Sequence, residues 1–150
     1  MSRPGFPLWW DTTVTIYNKY TDPQTQMITW FKTTVSDCFW RLEGSVVKVG
    51  DVTLDSKAII CRIPKDENYL DKQDWLALSA EEKAQHFTLG QNDIIVKGEC
   101  SEDINEYAKG HRSTDLLSTY RQYQAVMEIT GFVNDTGVGR NNEHYCVRGK

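Results

Sequence analysis

The sequence predicts a mainly β fold, a small antiparallel barrel or sandwich (SH3-like or similar) with one or two short helices in long insertions. Three observations predict it. Short stretches rich in β-branched and aromatic residues recur roughly seven or eight times, bounded by turn residues. No strand–helix–strand alternation of the kind a parallel sheet requires runs along the chain. One long segment is too charged for strands and holds a helix-capping sequence instead.

Residues 1–11 read as an extended N-terminal arm, because Pro4, Gly5 and Pro7 disfavour regular structure. Residues 12–150 read as a single domain with insertions at about 44–56 and 65–92. "TVTIY" (Thr13 to Tyr17) alternates, with Val14 and Ile16 on one face. Asp22-Pro23 marks a turn, and "MITWFKTTV" (Met27 to Val35) supplies the second arm of a hairpin. "CFWRL" (Cys38 to Leu42) reads as a third strand, and "SVVKVGDVTL" as a small hairpin turning at Gly50-Asp51. "KAIICRIP" is the most hydrophobic strand and stops at Pro64, which has no N–H to give a ladder.

Residues 65–92 carry many charges and little alternation. "SAEE" is a capping box: Ser79 caps a short helix over 80–86 while Glu82 reaches back. This segment is expected to be dispensable to the barrel, although Trp75, Leu76 and Leu78 require a cover. "NDIIVKGEC" returns to strand. "SEDINEYAKG" predicts a helix capped by Ser101 and stopped at Gly110, and "STDLLSTYRQYQ" a short helix or loop. "QAVMEITGFV" and "EHYCVRG" complete a C-terminal hairpin around "NDTGVGRNN".

The chain has 150 residues, 39% hydrophobic and 25% charged, which suits one globular domain. Its net charge of −4, without any block of like charge, argues against gripping nucleic acid. No apolar run reaches membrane-span length and the N-terminus lacks a signal-peptide pattern, so a cytoplasmic origin and no membrane partner are expected. Cys38, Cys61, Cys100 and Cys146 form no CxxC pair and are read as reduced, mostly buried thiols.

Chemistry-bearing patterns are sparse. His86, His111 and His144 stand at no diagnostic spacing from a nucleophile, and no GxSxG or HExxH occurs. "HYC" puts His144 and Cys146 on one strand face, but an edge histidine beside a packed thiol is the favoured reading. "GVGRNN" resembles a phosphate loop yet sits between antiparallel strands, and "DENYLDKQD" lacks the glycine of a calcium loop. No catalytic residue, metal ligand or cofactor is assigned, and no enzyme activity is expected.

Aromatic residues outside obvious core positions are the stronger signal. Phe6, Trp9 and Trp10 lie on the arm, Trp75 in the insertion, and Trp40 beside Phe39 on a strand, where neighbours face opposite sides. Either the arm and insertion fold back and bury them, or they anchor partner chains as Trp and Tyr often do. Phe6, Trp9 and Trp10 are therefore candidate partner contacts, with Trp75, Leu76 and Leu78 as a candidate partner or channel loop. One of the two adjacent tryptophans is expected to seal its own barrel and the other to enter a neighbouring subunit.

The order "DTTVTIYNKY", "WFKTTVSDCFW", "IICRIP", "NDIIVKGEC" and "NNEHYCVRGK" resembles that of small neck proteins of long-tailed bacteriophages, the head-closure or stopper group at the head–tail connector. The likeness covers most of the chain from Asp11 onward through strand motifs, without a chemical signature. It implies a non-enzymatic virion protein, assembled in the host cytoplasm. Its implied partners are a homo-oligomeric ring, a portal-side adaptor or portal protein, and a tail-completion or tail-tube protein. Packaged double-stranded DNA would pass through the channel without sequence-specific binding. It leaves open which insertion faces the channel. A tail-completion or terminator protein of the same region is the nearest alternative, and a β-barrel module binding nucleic acid or a small ligand is the alternative of another class.

Overall fold

A computed structural model describes residues 6–50, 52–136 and 143–150, and side chains within these except at 45–49 and 52–57. Pro4, Gly5, Asp51 and the "GVGRNN" segment lie outside the described residues. Six antiparallel strands close into a barrel in the order β1-β2-β3-β6-β5-β4. They are β1 (Thr12–Thr21), β2 (Ile28–Val49), β3 (Val52–Pro64), β4 (Ile94–Lys97), β5 (Val126–Asp135) and β6 (His144–Gly149). Three short helices lie in the connections: α1 (Lys72–Leu76), α2 (Ala80–Gln85) and α3 (Ser113–Arg121).

The seven or eight expected strands become six because neighbours fuse. "MITWFKTTV" and "CFWRL" are one strand that changes partner: it pairs with β1 as far as Cys38 and with β3 from Phe39 onward. The bend falls at Asp37, whose left-handed φ of 59° re-aims the chain around the barrel corner. Beyond Gly44 and Lys57, β2 and β3 pair only with each other, out to Val49 opposite Val52, with Gly50 at φ 61° in the turn. The 44–56 insertion is thus a two-stranded ribbon continuing the barrel wall for about 17 Å, at about 3.3 Å per residue.

Alternation places the core. Val14, Ile16, Cys61, Ile95, Met127 and Val147 point inward from five strands. Tyr17, Ile94, Val96 and Val126 point outward and are covered by Leu116 and Leu117 of α3 with Cys100 and Ile104. β4 is therefore buried on both faces, which explains its unbroken "IIV". The predicted helix over 101–110 does not form. Ile104 is drawn into this outer layer, and Asn105, Ala108 and His111 instead link in turns, with Gly110 at φ 86°. The Ser79 cap does form: Ser79 Oγ accepts from the Glu82 N–H at 3.3 Å and donates to Glu82 Oε1 at 3.0 Å.

The 65–92 segment supplies core side chains, where the reading from sequence set it outside the barrel. Phe87 and Leu89 belong to the barrel core, and Thr88, like Asp93 just after the segment, is a fully buried polar residue. The segment plugs one end of the barrel, where Tyr69 meets Tyr145 in a tilted contact with ring centroids 4.2 Å apart. Three of the four cysteines, Cys38, Cys61 and Cys100, are buried, and burial pushes the Cys61 thiol well up from its ordinary pKa.

Candidate interaction surface

The arm is not extended where it is described. Pro7 accepts a hydrogen bond from the Trp10 N–H at 3.0 Å, so Pro7 to Trp10 closes as a turn. That turn separates the two tryptophans. Trp10 is 6% exposed; its ring lies 4.9 Å from Phe6 and 5.9 Å from Phe39, and meets His144 edge-on at 5.4 Å. The Arg62 guanidinium lies over the Phe39 ring at 5.6 Å. Leu8 and Trp9 project from this base at 79% and 68% exposure. The arm thus presents two large apolar side chains on a foundation packed against β2 and β6.

Adjacent aromatics on β2 divide in the same way. Trp40 packs toward the core while Phe39 faces outward under Trp10. Trp10 roofs the outward face of Phe39 and His144 of its own chain, and the half-buried Phe6 packs on Trp10.

Trp75 is also committed to its own chain, which corrects its expected place on a contact loop. It is 0% exposed, meeting Phe31 edge-on at 5.6 Å and the Lys72 and Lys83 ammonium groups at 5.3 and 5.6 Å. Lys83 is itself buried: its Nζ donates to the Leu76 carbonyl at 3.1 Å and to the Leu78 carbonyl, 4.4 Å from the Tyr20 ring. Desolvation lowers its pKa, while the carbonyls and aromatic faces hold the cation. Of the expected loop, Leu76 remains exposed and Leu78 is half-buried.

A buried polar clasp fastens the segment to β1. Asn18 exchanges two hydrogen bonds with the Thr88 backbone. Asp93 accepts from the Lys19 N–H at 2.9 Å, the Gly90 N–H at 3.1 Å and Lys72 Nζ at 3.2 Å. Burial raises the Asp93 pKa, and these partners pull it back only in part.

Two hollows bear on recognition. One, of about 250 Å³, opens between Leu42, Ile59, Val126, Arg121, Gln124 and Lys150 and is mostly apolar. The other, of about 400 Å³, is an open trough along Met27, Trp30, Ile104 and Tyr107 with Asp103 at its edge. Among the described residues no three His, Cys, Asp or Glu side chains come together as metal ligands. His144 lies 3.8 Å from Asp135 and against Trp10. No described helix is long and apolar enough to cross a membrane.

A family model, "Family of unknown function (DUF6751)", matches residues 9–150. The chain belongs to the DUF6751 family. No curated protein and no solved structure matches it. The DUF6751 segment takes in the whole barrel together with the exposed Trp9 and the buried Trp10.

Leu8 and Leu42 are surface features that the sequence reading missed. Leu8 is signalled only by its place beside Trp9. Leu42 shares the strand parity of Cys38 and Trp40 and reads as core, but it lies at the margin of the packed interior, opposite Ile59, and is 41% exposed.

Proposed function

We propose that this protein is a structural component of the head–tail neck of a long-tailed bacteriophage, of the head-closure or stopper type. It forms a ring between the portal-side adaptor and the tail, and has no catalytic role. The observation that carries the reading is a closed barrel with two projections, the 44–56 ribbon and the Leu8–Trp9 knob. A ring subunit needs a rigid body that leaves no pairing edge, together with appendages that reach its neighbours. The resemblance in segment order to neck proteins supports the same conclusion, and the burial of Phe87 and Leu89 favours the 44–56 ribbon over the 65–92 segment as the projecting element. The ribbon is then the element that faces the channel or the next ring. A net negative subunit lets DNA pass without adhering.

The test is a phage carrying a disrupted copy of this gene. The expected result is packaged heads that fail to join tails and lose their DNA, with joining restored when purified protein is added. Normal infectious particles without the protein would overturn the reading, and salt-sensitive binding of single-stranded oligonucleotides by the purified barrel would favour a nucleic-acid module instead.

A further inference from the structure

We infer that the Leu8–Trp9 knob of one copy docks in the Leu42–Ile59–Val126 groove of a second copy, head to tail. This specifies the contact behind the ring proposed above and rests on that reading. The two features sit far apart on the same subunit. The knob is founded on Phe39 and His144, whereas the groove holds Leu42 and Lys150, three and six residues farther along those strands. At about 3.3 Å per residue the separation is roughly 10–20 Å. Phe39 and Leu42 also have opposite parity, so one marks the outer wall and the other the barrel mouth. With Trp10 clamped, Trp9 cannot reach its own groove. A knob and hole at different places on one surface make a heterologous contact, which generates rings when the rotation closes.

Charge selects between the two hollows. Asp11, exposed two residues after Trp9, travels with the knob. The groove is rimmed by Arg121 and Lys150, which complement that carboxylate, and Arg121 can cover an indole face. The trough at Met27 and Tyr107 is lined by no basic residue, and its Asp103 is paired with Lys32 at 3.1 Å, so it offers Asp11 no complement. The groove volume of about 250 Å³ also suits a single bicyclic side chain better than a wide surface. A proline-containing turn locked by the Trp10 clamp is preorganised, so docking loses little further entropy.

Sedimentation velocity on the full chain tests the contact with two exposed-site variants, Trp9→Ala and Leu42→Glu. Wild type should self-associate, and each variant alone should associate at least ~10-fold more weakly. An equimolar mixture should form a dimer, because Trp9→Ala keeps the groove and Leu42→Glu keeps the knob. Circular dichroism should show both variants folded. A wild type that stays monomeric at millimolar concentration, a Trp9→Ala variant that associates normally, or a mixture that stays monomeric would each overturn the inference. Neck assembly that survives both substitutions sinks this contact and leaves the neck reading intact, whereas head-to-tail association of a protein absent from virions does the reverse.

Discussion

Asn18 on β1 and Thr88 in the 65–92 segment, 70 residues apart, pair like two residues of a ladder: Asn18 Nδ2 donates to the Thr88 carbonyl at 2.6 Å, and the Thr88 N–H donates to Asn18 Oδ1 at 3.2 Å. A side-chain amide here replaces the backbone of a missing strand. Replacing Asn18 with Ala strands a buried donor and a buried acceptor, and the expected cost is on the order of 3 kcal/mol in urea denaturation.

Removing residues 66–91 should abolish folding, because Phe87, Leu89 and Trp75 are core side chains. Loss of the cooperative thermal transition is the expected outcome. A deletion variant that melts cooperatively would show that the barrel closes without its plug.

Trp9 and Trp10 should separate cleanly in stability. Trp10→Ala removes the roof over Phe39 and His144 and should cost about 2–4 kcal/mol. Trp9→Ala, at an exposed position, should stay within ~0.5 kcal/mol. Chemical denaturation of the two single variants reads both numbers, and equal losses would mean that both indoles are intramolecular packing.

Asp93 should leave a pH signature. Burial raises its pKa above the ordinary value of 3.8. The native state therefore holds this proton where the unfolded chain has released it. Its stabilising contribution is full below 3.8 and is lost as pH rises through the folded value. Stability measured from mildly acidic to neutral pH should lose that component in Asp93→Asn. The variant should also be less stable at neutral pH by about 1–3 kcal/mol, since an amide cannot accept from Lys19, Gly90 and Lys72 together.

Gly149 sits where β6 crosses between Ile59 of β3 and Ile129 of β5, and a Cβ there would overlap the Glu128 carbonyl. Gly149→Ala should cost about 1–3 kcal/mol through forced separation of β5 from β6, read as a lower melting temperature.

Local rules made much of the barrel legible. The period-two pattern of "TVTIY", the Asp22-Pro23 turn and the stop at Pro64 each reflect interactions within a few residues, and they correspond to β1, the β1–β2 turn and the end of β3. The Ser79 cap is local in the same sense. The helix expected at 101–110 failed because capping and dipole preferences of about 1 kcal/mol yield to the burial of Ile104 against α3 and β4. The candidate surface was legible only as a set of aromatic residues. Phe6, Trp9, Trp10 and Trp75 are alike in sequence, and only long-range contacts bury Trp10 and Trp75 in their own chain and leave Trp9 outside.

By itself the sequence determined the class of fold, the strand-forming stretches, the capped helix and the presence of more tryptophan than one barrel interior needs. These follow from side-chain periodicity, backbone dihedral preference and composition, which act over a few residues. Tertiary structure alone decided that 65–92 is core and that β2 bends at Asp37 to serve two partners. It also decided that the turn from Pro7 to Trp10 buries one tryptophan and exposes the other. Those outcomes depend on which surfaces meet across about 20 residues or more, and a linear pattern does not encode which of two equally apolar side chains is buried.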